Sequence, residues 1–186
     1  SILGKKKRTS RYQGYLVGIK TEISFDDISP YFDVISLEPT LNGVSHTVYV
    51  LNDNYILKIY EDVKNSYVDE EINLLNLCKS LSVPKIEKQL YIKNKKALIF
   101  QKSKGHILNE VQNTHLVEIA NFLKAFHRLT KNKKHQSENP FSRESLEKLV
   151  LKAKNKFFIS EFKSINLVLK NDGVIHGDLF LDNSVF

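Results

Sequence analysis

Three residues near the end of the chain, His176, Asp178 and Asn183, stand in the pattern His-x-Asp followed by four residues and an Asn. That order suits phosphoryl transfer to a hydroxyl. One carboxylate must accept or orient the proton of the attacking oxygen, while an Asn a few residues on turns its side-chain oxygen to the magnesium that bridges nucleotide phosphates. A loop of this length presents both groups to one cleft. Asp178 is then the candidate base, Asn183 the candidate metal ligand, and His176 the residue that holds the loop in shape. The plain alternative is a surface turn, since Gly177-Asp178 and Asp182-Asn183 are good turn formers.

A second element is Lys58, which lies inside the apolar run 55–60. Burying an ammonium is costly unless an anion pairs with it. A phosphate, with Glu70 or Glu71 on the following segment as the fixed partner, supplies that pairing. A Lys on an edge strand pointing to water is the competing account. Third, Gly43, Ser45 and Thr47 precede that run and can lay backbone amides and hydroxyls against phosphates, although one glycine makes a thin phosphate loop. The remaining histidines, His46, His106, His115, His127 and His135, show no metal-ligand spacing, and a single Cys leaves no zinc motif. Neither a Gly-x-Ser-x-Gly elbow nor a Walker Gly-Lys-Ser/Thr is present.

Positioning these groups takes a sheet and several helices. Residues 47–51 and 55–60 are β-branched and aromatic runs around Asn52-Asp53-Asn54, which predicts a hairpin with Asn and Asp in left-handed turn conformations. Apolar spacing predicts a helix over 69–81, stopped before Pro84. A second hairpin is expected from 90–93 and 97–101. After Gly105 the pattern turns helical, with a strongly amphipathic stretch over 115–129, another over 145–158, and 159–169 continuing it or beginning a third. Residues 21–32 form a short amphipathic stretch with Ser24, Asp26 and Asp27 as helix-start residues, and the polar segment 131–142 reads as an exposed loop. Strand-rich first and helix-rich second predicts an α+β chain of two lobes with a cleft between them.

Composition narrows the class further. The chain has 186 residues, 41% of them hydrophobic, with 7 Gly, 4 Pro and 1 Cys, which excludes collagen-like, disulfide-scaffold and wholly disordered readings. No apolar run approaches the roughly 18 residues needed to cross a bilayer, so no membrane partner is expected. One Cys and no signal-peptide core point to a reducing cytoplasm. Of the formal charge of +7, five units come from Lys5, Lys6, Lys7, Arg8 and Arg11, with no acidic residue before position 17. What remains is nearly balanced, so a nucleic-acid partner is not expected and the basic start reads as a solvated tail.

Taken in order, these pieces resemble the aminoglycoside phosphotransferase and choline kinase-like superfamily, and within it the homoserine kinase family. The resemblance runs from about Gly18 to Phe186 and is carried by His176 to Phe186, by Gly43, Ser45 and Thr47 as the nucleotide loop, by Lys58, and by Leu123 to His127. It implies a protein-kinase-like two-lobed fold: 1–17 a basic disordered or non-native extension, 18–104 a nucleotide-binding lobe with an antiparallel sheet and one helix, and 105–186 a partial helical lobe ending at the catalytic loop. It further implies ATP and Mg2+ as cosubstrate and metal, and transfer of the γ-phosphoryl group to the hydroxyl of L-homoserine. Asp178 would be catalytic and Asn183 metal-binding. Gly43, Ser45, Lys58, its helix partner Glu70, and Gln101 and Ser103 in the hinge at 100–105 would hold the nucleotide. The family's second metal-binding Asp lies beyond Asn183, so the chain is expected to be C-terminally truncated with impaired turnover. The alternatives are another small-molecule kinase of the aminoglycoside or choline type, a non-catalytic nucleotide-binding fragment, or a basic-tailed polyanion binder.

Overall fold

Two successive Asn-containing turns organise the sheet. Asn52 and Asp53 take φ of 49° and 58°, and Lys93 and Asn94 take 48° and 64°, the left-handed pair that a tight hairpin demands. The computed structural model describes residues 10–12, 15–40, 45–133, 142–165, 173–175, 177, 179 and 184–186. Around the first turn, β4 (Thr47–Leu51) pairs with β5 (Tyr55–Ile59); around the second, β6 (Ile86–Ile92) pairs with β7 (Lys95–Gln101). β3 (Leu37–Pro39) adds to β4, completing an antiparallel sheet of order β3-β4-β5-β7-β6. Asn52 also ties the segment before β3 to the turn, its Oδ1 accepting from the backbone of Ile35 at 2.8 Å and Ser36 at 3.1 Å.

Strand alternation gives the sheet two apolar faces. On one, Tyr49, Leu51, Leu57, Ile59, Ala97 and Ile99 form a core that receives Ile28 from the short helix α1 (Phe25–Ile28), entered through Ser24 as foreseen. On the other, Ile56, Tyr60, Leu98 and Phe100 pack against Val68, Ile72 and Leu75 of α2 (Asn65–Leu77). Lys58 sits between Ile56 and Tyr60 on that second face. α2 begins and ends four residues earlier than its apolar spacing predicts. Its last turn closes at Cys78, and a further turn over 78–81 brings the chain to Pro84 outside the helix, where proline disfavours helical backbone in its predecessor.

The second half is helical among the described residues. α3 (Asn113–Leu129) matches the predicted 115–129 and buries Phe126. The single helix expected over 145–158 is instead two, α4 (Arg143–Lys152) and α5 (Lys156–Ser164). Lys154 takes φ 52° and the Asn155 side chain caps the new helix, accepting from Phe157 N at 3.0 Å and Phe158 N at 3.3 Å. Two three-residue strands, β1 (Ser10–Tyr12) and β2 (Tyr15–Val17), pair antiparallel. No helix among the described residues is long and apolar enough to cross a membrane.

Candidate functional site

β5 is the central strand of five, and it carries Lys58 on the face that α2 covers. Lys58 Nζ donates to both carboxylate oxygens of Glu71, at 3.0 and 3.1 Å. The side chains are 25% and 36% exposed, so the pair is partly withdrawn from water. Glu70, taken above as the partner, is corrected to Glu71, and helix phase explains why. At about 100° per residue, Glu71 falls about 60° from the buried Val68 and borders the stripe facing the sheet, whereas Glu70 falls about 160° away.

The ammonium of Lys58 also lies 4.3 Å from the ring centroid of Tyr60, within cation–π range. Tyr60 is 5% exposed, and its buried hydroxyl stands near the Glu71 carboxylate. Burial first, then the Glu71 charge, push the Tyr60 pKa far up, so the phenol stays neutral. His46 completes the group: its Nδ1 accepts the Glu61 backbone N–H at 3.2 Å, and its ring lies 5.0 Å from that of Tyr60. Burial and then the Lys58 charge lower the His46 pKa.

Behind this group a buried network fixes the start of β4. Glu61, 3% exposed, accepts from the hydroxyls of Thr21 and Thr47 at 2.6 Å each and pairs with Lys95. The Thr47 hydroxyl oxygen in turn accepts from Lys20 N and Thr21 N at 3.0 Å each. Burial alone would raise the Glu61 pKa; hydrogen bonds from Lys95, Thr21 and Thr47 overcome it and hold the carboxyl below its ordinary value. Sequence reasoning missed Glu61, which lies in no motif, and gave no role to His46 between Ser45 and Thr47, since both gain their partners only through strand pairing.

Of the residues singled out by sequence, Ser45 is exposed and its carbonyl accepts from Lys20 Nζ at 3.1 Å. Ser103 lines a cavity of about 880 Å³ together with Glu71, between α2, the 103–104 segment, α3 and residues 184–186. Gln101 lines a smaller hollow beside Ser103, and its Nε2 donates to Glu87 at 3.0 Å. The fold thus brings Lys58, Glu71 and Ser103 to one side of the sheet. Gly43, His176, Asp178 and Asn183 lie outside the described residues. Residues 184–186, which follow Asn183, are docked: His106 and Phe186 exchange backbone hydrogen bonds of 3.1 and 3.2 Å, and the His115 ring lies 5.0 Å from that of Phe186. Gly105 makes this approach possible, at φ +120° with the Phe186 carbonyl oxygen 2.4 Å from where a Cβ would stand.

Residues 36–186 match the family described as Phosphotransferase enzyme family. Among solved structures, the chain is similar to the GDP complex of wild-type aminoglycoside 2'-phosphotransferase-IIIa, at 14% identity and a TM-score of 0.57, over 75% of this chain and 56% of that one. It is also similar to the APH(2")-IIa chain of a streptomycin–ATP ternary complex, at 15% identity and a TM-score of 0.54, over 87% of this chain and 64% of that one. The chain therefore spans less than two thirds of either. No curated protein matches the sequence.

Proposed function

The chain belongs to the phosphotransferase enzyme family, and on that premise we propose that it is a small-molecule kinase that moves the γ-phosphoryl group of ATP to the side-chain hydroxyl of L-homoserine. The observation that carries the nucleotide half of this reading is the Lys58–Glu71 pair at 3.0 Å on the cleft face of the sheet. A partly buried ammonium held by one carboxylate keeps donor capacity for an anion, and a triphosphate is the anion the family transfers from. Its aligned charge lowers the barrier by electrostatics and position rather than by bond-making of its own.

In this reading Asp178 orients the attacking hydroxyl and takes its proton, while His176 braces the loop. Gly43 and Ser45 face the phosphates, and Gln101 and Ser103 line the nucleotide end of the cleft. Glu71 takes the place expected of Glu70. The hard oxygen donor of Asn183 suits magnesium, which when bound would neutralise charge across the phosphates. The homoserine assignment rests on the His176–Phe186 pattern. A kinase for another hydroxylated small molecule is the second reading, favoured by the aminoglycoside phosphotransferases among the similar solved structures.

The test is thermal stability with and without Mg-ATP, followed by coupled ADP release with homoserine and, separately, with an aminoglycoside. Stabilisation with weak, homoserine-dependent ADP release is the expected result. Turnover with the aminoglycoside alone would move the substrate to the second reading, and stabilisation without turnover would leave a nucleotide-binding fragment. No stabilisation by Mg-ATP would overturn the nucleotide site itself.

A further inference from the structure

His46 has no metal-ligand spacing and falls between Ser45 and Thr47 with no role of its own in the sequence, yet pairing places it beside Lys58 and Tyr60. Thr47 lies opposite Ile59 and Val48 opposite Lys58. Thr47 is fully buried on the far side of the sheet, so His46 and Val48 share the face of Lys58 and Tyr60. There the imidazole does two things at once. Its Nδ1 accepts the Glu61 N–H at 3.2 Å, and its ring packs on Tyr60 at 5.0 Å. Apart from Glu71 near its hydroxyl, the Tyr60 ring under Lys58 is placed by what touches its faces and edges.

We infer that His46 is a positioning residue of the nucleotide site: as a neutral imidazole it holds the Tyr60 ring against Lys58 and so keeps the ammonium aligned for phosphate. The inference rests on the nucleotide-site reading of Lys58. An Nδ1 that accepts a backbone N–H leaves the ring proton on Nε2. Protonating Nδ1 would set two N–H groups face to face and release the ring from Glu61. The charged groups around it are Lys20 and Lys58, which oppose protonation, and Glu61 and Glu71, which favour it; burial, the largest influence, also opposes it. At neutral pH the ring is therefore in its holding form, and acid undoes the hold.

Calorimetric Mg-ATP titrations at pH 7.5 and 5.5 on wild type, His46→Asn, His46→Phe and Lys58→Ala test this. Asn keeps an acceptor near Nδ1 without the ring; Phe keeps the ring without the acceptor. At pH 7.5 His46→Phe should bind about tenfold more weakly than wild type, with His46→Asn between them. At pH 5.5 the gap between wild type and His46→Asn should be narrower than at pH 7.5, because only wild type carries an imidazole at this position. Both His46 variants binding like wild type at both pH values, with Lys58→Ala weakened, would overturn the inference and leave the nucleotide site standing. Tighter binding by wild type in acid would overturn it too, since His46 would then contact phosphate itself. No wild-type binding, or an unaffected Lys58→Ala, would overturn both. Should the variants fail to fold, nitrogen NMR of the wild-type imidazole decides: an Nε2–H tautomer titrating below the ordinary histidine range is expected, and an Nδ1–H tautomer would be fatal.

Discussion

Removing one partner from a partly buried ion pair costs more than the pair is worth, because the other charge is left behind. Glu71→Gln should therefore weaken Mg-ATP binding by about tenfold, the scale of one charge-assisted hydrogen bond. Glu70→Gln, which leaves the Lys58–Glu71 pair in place, should lose less than Glu71→Gln in the same calorimetric titration. A loss larger for Glu70→Gln than for Glu71→Gln would return the role to Glu70. Glu61 allows a second prediction, with its sign set by the depressed pKa. A carboxyl lowered in the folded state stabilises above its unfolded value and loses that contribution as pH falls through the folded pKa. Glu61→Gln should thus be less stable than wild type by about 1–3 kcal/mol at pH 7, and the difference in urea midpoints should shrink progressively in acid. Lys58 was legible in the sequence because a lysine inside an apolar strand demands an anion. The choice between Glu70 and Glu71 was not, because it turns on helix phase, and the partners of His46 and Glu61 exist only once strands are in register.

Elements were legible where one period dominated. Both hairpins follow from Asn-rich turns between β-branched runs, and α3 from its amphipathic stripe. The α4–α5 break was hidden because apolar spacing continues through it while a single Asn155 cap interrupts the backbone. β3 was hidden because three residues ending in Pro39 carry no alternation to read. The junction after β7 offers a prediction at this scale. Gly105→Ala puts a Cβ against the Phe186 carbonyl oxygen at a positive φ, so the His106–Phe186 pair must open. A loss of about 1–3 kcal/mol is expected from the strained backbone, together with faster amide exchange at His106 and Phe186. Unchanged protection at both amides would mean that this contact does not hold the end of the chain.

Across the whole molecule, the order of strand-rich and helix-rich halves was readable from period alone, and the α+β architecture follows it. The face that each strand residue presents was readable as well, since Lys58 falls between Ile56 and Tyr60 by simple alternation. What brings the last residues back onto the segment after β7 was not, because the 184–186 contact with His106 pairs residues about eighty positions apart with no pattern between them. β5 sits at the centre of the sheet, flanked on both sides, while α2 lies on one face. The two partners of the ion pair therefore belong to regions of different persistence. Amides of Leu57 and Ile59 should exchange only through global unfolding, whereas those of α2 should exchange through smaller, more frequent openings. Each such opening carries Glu71 away and leaves Lys58 in place, so the cation is the permanent half of the site and its carboxylate the intermittent one. A bound polyanion would then slow exchange across α2 far more than across β5, turning the helix into the reporter of occupancy at a strand it covers.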